Sequence, residues 1–417
     1  MIRVAVVCGA IQPMLDGVTD YTTHLVEQLR ARGVAPAVIS SDHGPDVPGV
    51  ELHRVARRSV FRGVQAVAGA VERLKPDLIH VHSAPSAYGF KPAIGLLPLF
   101  LGGSFPLITT LHEYGWWSWR PRMIPEMPLR PLWRLAERLH VWDRESLLLA
   151  VHSSAPVVTN RQHSSVISRL RRRPAMLIPV GPNVPPVAVD DAQVRRGLRD
   201  RLGAAPEAPV LAFFGFVHPV KGLPYLFEAL VRLRSRHPDL HLVVVGGFRS
   251  LALTRPDAWR YERELQDLLA ALGLKQAVTF TGYLPPAEAP KVLQGADLAV
   301  LPFIAGTTTK SSSLVTVLAH GLPTVATRPD VPDPQLVHER TPLFVPPRDS
   351  GALEVAIARL LTDRQLGQRL AAAGRRVAEQ HDWAAIAAKH TELYEDVLGT
   401  GRQYHAWRAG SAGRARK

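Results

Sequence analysis

The sequence predicts an α/β protein made of two doubly wound domains, and three observations support that fold class. Short apolar runs typical of buried strands alternate with stretches whose apolar residues recur every three or four positions, as in amphipathic helices. A proline-rich segment at 179–191 divides this alternation into two series. A chain of 417 residues with 46% hydrophobic content can also bury two cores. We therefore expect two parallel sheets, each covered by helices on both faces.

Each half of the chain supplies five predicted strands. They span 3–9, 36–41, 77–83, 107–113 and 156–160 in the first half, and 210–216, 241–247, 278–282, 298–303 and 323–327 in the second. The strand ends of both sheets should border a shared cleft, because open α/β sheets bind ligands beyond their carboxyl ends. The predicted divisions are an N-terminal domain over 1–180, a C-terminal domain over 181–380, a helix over 381–399 and a disordered basic tail over 400–417.

Cysteine content and hydropathy bear on where the protein works. The single cysteine, Cys8, excludes an internal disulfide and suits a reducing cytoplasm. The N-terminus enters a strand directly, so we expect no export signal. The uncharged stretch 92–111 is interrupted by proline and glycine, which predicts a helix, a Gly-Gly turn and a buried strand rather than a membrane span. We expect a cytoplasmic protein, with peripheral contact at the inner face of the membrane as an alternative.

The net charge of +14 favours anionic partners such as phosphates, nucleic acid or acidic lipid head groups. Arginines on solvated faces and in the tail explain the same excess without any partner. One rival interpretation follows from the charge, namely a protein that binds nucleic acid or an anionic surface. Against it, the sequence has no run of five arginines and no recognisable nucleic-acid module.

The junction after the strand 210–216 has features of a diphosphate site. Lys221 and Gly222 stand directly before a predicted helix, where a lysine adds its charge to the positive end of the helix dipole. His218, three residues earlier, can add a hydrogen bond. The alternative is an ordinary solvated lysine. No G-x-G-x-x-G follows a strand and no Walker P-loop is present, which argues against dinucleotide and P-loop proteins.

A polar stretch at 306–313 precedes a short apolar helix that we expect to end near Gly321. Free backbone N–H groups at a helix start accept phosphate or sugar oxygens, and hydroxyl groups can both donate to and accept from sugar hydroxyls. The plainer explanation is helix capping, which needs only one serine or threonine. The candidate ligand-binding residues of this stretch are Thr308, Thr309, Lys310, Ser311, Ser312 and Ser313.

Candidate residues of the first half lie where strands end. His112 leaves the carboxyl end of the strand 107–113, which is where cleft residues lie. In the strand 77–83 we expect the side chains of His80 and His82 to alternate across the strand, so that at most one faces the cleft, and His82 is the better candidate. The aromatic segment that follows His112 can stack on sugars, contact a membrane surface, or simply pack. It contributes the candidates Glu113, Tyr114, Trp116 and Trp117. No trio of His, Asp or Glu has metal-site spacing.

The order and spacing of these segments resemble the retaining glycosyltransferases of family 4. Those enzymes have the GT-B fold, in which two Rossmann-like domains face a central cleft. Nearly the whole chain is covered, through the segments 16–25, 76–83, 110–115, 213–222, 280–288, 296–303, 314–327 and 382–398. The resemblance implies transfer of a sugar from a nucleotide-diphosphate donor, bound mainly by the second domain, to an acceptor held mainly by the first. It also implies that the last helix crosses back to the first domain.

The resemblance assigns roles to matching positions. Gly17, with Val18, matches the glycine loop near the donor phosphates. His112 matches the histidine near the reacting sugar. Lys221 matches the diphosphate lysine, although Phe216 stands where the family has an arginine. These matches make His112 and Lys221 the expected catalytic residues.

Two further matches concern the nucleotide and the sugar. Tyr283 and Leu284 lie where backbone groups commonly meet the nucleobase. Thr308 and Thr316 occupy the positions of the two glutamates, eight residues apart, that usually contact the donor sugar and the ribose. Threonine keeps a hydrogen bond but no charge, which weakens each contact. The resemblance implies no cofactor and no metal, a UDP- or GDP-sugar as co-substrate, and no nucleic-acid partner; a catalytically inactive binding protein of the same fold is the alternative.

Overall fold

A computed structural model of the chain describes residues 1–9, 17–40, 51–55, 60–84, 86–88, 92–114, 132, 135–143, 145–161, 163–165, 167, 175–188, 190–250 and 253–414. At 60, 61, 86, 92 and 400–414 it describes the backbone alone. The chain divides into two units. Unit 1 comprises Met1–Pro179 together with Trp383–Lys417, and unit 2 comprises Val180–Asp382.

Unit 1 contains a parallel sheet in the order β3-β2-β1-β4-β5-β6-β7. Its strands are β1 (Arg3–Cys8), β2 (Ala35–Ser40), β3 (Glu51–Arg54), β4 (Leu78–Ser83), β5 (Leu107–Leu111), β6 (Ala155–Val158) and β7 (Met176–Leu177). Every residue of β4 and β5 is buried, as expected of central strands with both faces covered.

The described helices of unit 1 are α1 (Gly17–Ala31), α2 (Val60–Leu74), α3 (Leu97–Leu101), α4 (Leu149–His152) and α12 (Trp383–Arg414). The Gly-Gly turn predicted within 92–111 follows α3, where Gly102 and Gly103 adopt φ values of 57° and 74°. Such left-handed values strain any residue with a side chain. Among the described residues, no helix combines the length and the hydropathy needed to cross a membrane.

Unit 2 contains a second parallel sheet in the order β10-β9-β8-β11-β12-β13. Its strands are β8 (Val210–Phe214), β9 (His241–Val245), β10 (Val278–Gly282), β11 (Leu298–Leu301), β12 (Thr324–Thr327) and β13 (Leu343–Val345). Its described helices are α5 (Asp191–Leu202), α6 (Leu223–Arg234), α7 (Arg255–Ala271), α8 (Ala289–Gly295), α9 (Ser312–Ala319), α10 (Ser350–Thr362) and α11 (Arg364–Glu379).

The α/β fold class and the two doubly wound parallel sheets are confirmed. Three short strands were not predicted, namely β3, β7 and β13. They have four, two and three residues, too few to show a periodic pattern. The last helix also differs from expectation, because α12 continues to Arg414 through the stretch predicted to be a disordered tail. Extending an existing helix needs no new nucleus, which favours such a continuation.

Candidate functional site

Close backbone approach shapes the carboxyl end of β8 in unit 2. Gly215 follows β8 with φ 130°, and a Cβ atom there would lie 2.5 Å from Ser313 Oγ. Gly246 follows β9 with φ 144°, and its Cβ would lie 2.1 Å from the Gly215 carbonyl oxygen. Glycine is required at both positions for steric reasons. The loops after β8 and β9 are therefore packed tightly together, with the start of α9 against the first of them.

Lys221 lies in a short 3-10 turn between β8 and α6. Its ammonium group lies 3.7 Å from the centroid of the Phe303 ring, a cation–π contact. Desolvation by burial lowers the pKa of Lys221 to about 8, and no carboxylate among the described residues counteracts that shift. A desolvated cation without an acidic partner favours an anion as its ligand.

Two contacts connect the Lys221 turn to the loop after β11. Val220 accepts a 3.0 Å hydrogen bond from Ile304 N–H through its carbonyl oxygen. Gly222 has φ 70°, and a Cβ atom there would lie 2.0 Å from the Pro302 carbonyl oxygen. Since β8 and β11 are neighbouring strands, the lysine and the polar loop that follows β11 lie at the same edge of the sheet.

His218 is arranged to donate a hydrogen bond. Its Nδ1 accepts from Val220 N–H at 3.2 Å, so the proton of the neutral ring lies on Nε2. Burial, and next the charge of Lys221, lowers the pKa of His218. The ring is therefore neutral at pH 7, with an N–H beside a lysine.

The start of α9 has unsatisfied backbone donors. Ser311 is the N-cap residue and makes no side-chain capping hydrogen bond. The N–H groups of 312–314 have no partner among the described residues. The capping explanation for this serine-rich stretch is therefore not supported at Ser311, and three amide donors remain for a ligand.

The threonines before α9 have separate environments. Thr307 is fully buried, and its N–H donates to the Thr327 carbonyl oxygen at 2.9 Å. Thr308 is half-buried, and its hydroxyl accepts from Lys310 N–H at 3.4 Å. Thr309 donates to one Asp333 carboxylate oxygen from both its N–H, at 2.8 Å, and its hydroxyl, at 2.6 Å.

Thr316 makes a contact that was not predicted. Its side chain is fully buried, and its hydroxyl accepts a 3.0 Å hydrogen bond from Asn183 N–H. One turn later, His320 Nε2 lies 3.0 Å from the Val184 carbonyl oxygen. Because residues four apart lie on one helix face, this face of α9 fixes the segment that leads into unit 2. The structure therefore gives the Thr316 hydroxyl a contact within unit 2, and the ribose contact stays a prediction.

The predicted nucleobase residues lie beside the β8 and β9 loops. The Tyr283 ring contacts Phe216 edge-on, with centroids 6.1 Å apart, and its hydroxyl donates to the Arg249 carbonyl oxygen. Leu284 is partly buried against the core of unit 2. Phe216, which stands where the family has an arginine, thus packs on an aromatic ring.

In unit 1, the histidines of β4 lie on the same face of the strand. His80 and His82 are both fully buried, with ring centroids 4.5 Å apart. The prediction that their side chains alternate across the strand was wrong, because residues two apart point to the same face. His80 Nε2 lies 2.7 Å from Thr110 Oγ1, and His82 Nδ1 lies 3.0 Å from His112 Nε2.

Helix α12 adds polar aromatic residues to this histidine cluster. Tyr394 is fully buried, and its hydroxyl lies 2.7 Å from His80 Nδ1. His390 is also fully buried, and its Nδ1 lies 2.9 Å from the Ile386 carbonyl oxygen. Tyr21, from α1, contacts the His112 ring edge-on at 4.7 Å. Burial lowers the pKa of His80 well below its ordinary value and that of His390 to about 4.

Gly17 is the first residue of α1, and Val18, which follows it, is buried. No atom lies within 4 Å of a Cβ built at Gly17, and its φ is not positive. Neither the described packing nor the backbone conformation therefore requires glycine at this position. Close approach of a ligand stays the predicted reason for it.

The remaining acceptor candidates are placed only in part. Tyr114 is buried, and its hydroxyl donates to Asp143 at 2.7 Å, so its polar atom binds the protein rather than solvent. Glu113 is half-buried. Trp116 and Trp117 lie outside the described residues.

Several residues of these sites were not predicted. Phe303 could have been found, since it ends the strand next to β8. Asp333 lies 24 residues from its partner Thr309, and no local pattern links the two. His390 and Tyr394 look like ordinary positions of an amphipathic helix in the sequence.

The family model described as glycosyl transferases group 1 matches residues 194–377, and that described as a glycosyl transferase 4-like domain matches 16–181. The chain belongs to the group 1 glycosyltransferases. The D-inositol 3-phosphate glycosyltransferase of Jonesia denitrificans is 33% identical over 219 residues, which are 50% of this chain and 47% of that protein. The match thus spans about half the length of that relative.

Two further similarities extend over nearly the whole chain. The phosphatidyl-myo-inositol mannosyltransferase of Mycobacterium leprae is 26% identical over 422 residues, which are 96% of this chain and 98% of that protein. Among solved structures, Anabaena HepE in complex with UDP and glucose has a TM-score of 0.71 at 18% identity, covering 95% of this chain and 100% of that one. At that identity the likeness supports the fold alone.

Proposed function

We propose that this group 1 glycosyltransferase moves a sugar from a nucleotide-diphosphate sugar to a hydroxyl of its acceptor, with retention at the anomeric carbon. One observation carries the proposal. At one sheet edge of unit 2, the desolvated Lys221 ammonium group lies with three amides at the start of α9 that have no partner in the described part of the chain. A pyrophosphate supplies the negative charge and the oxygens that this pair lacks.

The chain's own residues then stabilise the leaving group. Lys221 and the amides of 312–314 offset the charge that builds on the diphosphate as the glycosidic bond breaks. His218 adds an N–H donor, and Gly17 lets a phosphate approach α1 closely. Retention by front-side attack lets the departing phosphate take the acceptor proton, so no carboxylate base is required. His112 contacts the transferred sugar or orients the acceptor.

For the donor we propose UDP- or GDP-sugars, and the UDP in the HepE complex favours UDP. The test is thermal stabilisation across UDP-, GDP-, ADP- and TDP-sugars. A ligand that binds only the native state, at a concentration 100 times its dissociation constant, raises the free energy of unfolding by about 2.7 kcal/mol. This increase raises Tm by several degrees. Lys221→Met should lose most of that shift, whereas Lys291→Met, which removes an exposed lysine paired with Glu288, should keep it. No shift with any nucleotide sugar would refute the proposal.

For the acceptor we propose a polyol phosphate, either free or as a lipid head group. Both relatives carry inositol in their names. Leu132, Leu135 and Leu139 of unit 1 are 60%, 50% and 63% exposed, and exposed leucines beside arginine favour an acidic lipid surface. Transfer of labelled sugar to soluble inositol phosphate, compared with transfer to phosphatidylinositol vesicles, separates the two sources. Transfer to neither acceptor would exclude this acceptor class.

A further inference from the structure

The contact between His82 and His112 has a defined geometry. His82 Nδ1 and His112 Nε2 are 3.0 Å apart, and the two rings lie 26° from parallel. Tyr21 contacts both rings, with centroid distances of 5.5 Å and 4.7 Å. His82 is fully buried and His112 is 7% exposed. Packing therefore holds both imidazoles in place, and Nε2 of His112 is occupied by its histidine neighbour.

The proton between the two rings belongs to one of them. Burial, and next the charges of neighbouring histidines, lowers the pKa of His82 well below its ordinary value, so this ring is neutral at pH 7. A neutral imidazole has one N–H and one bare nitrogen. Either His82 donates from Nδ1, or His112 donates from Nε2 and the proton of His82 lies on its own Nε2.

The environment of His82 Nε2 decides between these two arrangements. That nitrogen is buried and has no hydrogen-bond partner among the described residues. If His112 donated, a buried N–H of His82 would be left without an acceptor. If His82 donates, only a lone pair is left. Orphaned buried N–H groups are rarer in proteins than under-satisfied acceptors, which favours His82 as the donor.

We propose that His82 is a positioning residue that holds His112 in the tautomer with its proton on Nδ1. Nδ1 is then the ring nitrogen of His112 that can donate a hydrogen bond. The one bare nitrogen of His112 already accepts a hydrogen bond from His82, so this ring cannot serve as a general base. The consequence for catalysis rests on the proposed function, because it assigns the acceptor's proton to the leaving phosphate rather than to His112.

The test reads the tautomer directly. In the full-length protein, ¹⁵N correlation spectra distinguish protonated from bare ring nitrogens, and the signals of His112 are those lost in His112→Gln. We expect a protonated Nδ1 and a bare Nε2. His82→Asn keeps an N–H donor at the position of Nδ1 and should preserve this pattern. His82→Leu removes the donor, and the protonated fraction of His112 Nδ1 should then fall.

His80→Asn is the matched control, because His80 is equally buried on the same strand but contacts Thr110 and Tyr394 instead. Its effect on stability should be similar, and the tautomer of His112 should not change. A proton on Nε2 of His112 in the unmodified protein would overturn the proposal. So would an unchanged His112 spectrum in folded His82→Leu. If His82→Leu does not fold, His82→Asn provides the test. Folded His82→Asn without a protonated Nδ1 and a bare Nε2 in His112 would also overturn the proposal.

Kinetics give a second readout with UDP-glucose, followed by release of UDP. His82→Leu should lower kcat by about 10- to 100-fold, the range found when a partner that orients a ligating histidine is removed. The KM for UDP-glucose should stay within about twofold, because the donor diphosphate is bound elsewhere, and His82→Asn should recover most of kcat. The spectra require no sugar. A correct tautomer without binding of any nucleotide sugar would therefore refute the proposed function and leave the positioning role intact.

Discussion

Lys221 shows how one side chain acquires a function from its surroundings at the residue scale. The sequence places it before a helix, but a lysine in a loop is usually solvated. Desolvation by burial makes its charge costly, and the Phe303 ring at 3.7 Å offsets only part of that cost, so that an anion binding there regains electrostatic energy. The same desolvation makes the charge depend on pH near the physiological range.

We expect UDP affinity to fall as pH rises above 8. The pKa of Lys221 is about 8, so the ammonium group is present below that value and is lost above it. Well above the pKa, the dissociation constant should rise by about tenfold per pH unit. Titration calorimetry with UDP between pH 7 and 9.5 measures this change. Lys221→Arg should bind UDP independently of pH over this range, and a constant affinity in the unmodified protein would contradict the assignment.

Gly17 offers a second test at the residue scale. Gly17→Ala should leave Tm unchanged or slightly raised, because neither positive φ nor a clash opposes the methyl group. Binding of UDP-glucose should weaken by about 1 to 3 kcal/mol, since the methyl group would occupy space needed by a phosphate. Gly63→Ala in α2 is the control, because its Cβ also meets no atom within 4 Å. Unchanged binding in Gly17→Ala would remove this residue from the donor site.

Local patterns predicted some of these residues, and long-range contacts decided the others. Lys221 and the start of α9 follow strands, which a sequence shows directly. Thr316 matched a binding position, yet its hydroxyl accepts a hydrogen bond from Asn183 N–H, 133 residues away. The Tyr114 hydroxyl donates a hydrogen bond to Asp143, and the sequence between these two residues has no periodic pattern that would have indicated the contact. By contrast, the shared face of His80 and His82 follows from strand geometry and was within reach of the sequence.

The loop between β11 and α9 shows how elements cooperate. Asp333, from the loop after β12, receives two hydrogen bonds from Thr309, and its other carboxylate oxygen accepts from Gln335 N–H at 3.0 Å. One carboxylate thus fixes the polar loop directly before the free amides of α9. This contact pre-organises the proposed phosphate site, since a mobile loop would lose entropy when it binds.

We expect the two ends of this contact to be coupled. Asp333→Asn should lower the free energy of unfolding by about 1.5 to 3 kcal/mol, because it weakens hydrogen bonds to a charged group. Thr309→Val keeps the N–H but removes the hydroxyl, and should lower it by about 1 kcal/mol. The double variant should lose less free energy of unfolding than the sum of the losses in the two single variants, and urea unfolding measures all three losses. Amide exchange at 307–311 should quicken in Asp333→Asn, and strictly additive losses would show that the contact has no energetic role.

At the scale of the whole molecule, buried histidines distinguish the two units. His80, His82 and His390 are fully buried in unit 1, and burial lowers the pKa of each. In the described part of unit 2 the buried histidines are His320, whose pKa burial lowers to about 4, and His381. Because the unfolded chain takes up protons at these sites near pH 6.5 and the folded chain does not, acid should favour unfolding of unit 1.

The sign and size of this effect follow from linkage. Below pH 6.5 the unfolded state binds more protons, so the free energy of unfolding falls as pH falls. Each histidine can lower the free energy of unfolding by at most about 1.4 kcal/mol per pH unit. This contribution continues down to the pKa of the histidine in the folded state, which is about 4 for His390. Tryptophan fluorescence reports mainly on unit 1, since Trp259 is the one tryptophan of the sequence within unit 2. Far-UV circular dichroism reports on both units.

Urea unfolding between pH 7.5 and 5 tests this expectation. As pH falls, the fluorescence transition should move to lower urea concentration, and it should move before the later part of the dichroism transition does. His390→Leu removes one titrating group and should reduce the pH dependence of the first transition by up to about 1.4 kcal/mol per pH unit. Replacement of the exposed His152 by leucine serves as the control within unit 1. If both transitions shifted equally with pH, the buried cluster around β4 and α12 would not control the acid stability of unit 1.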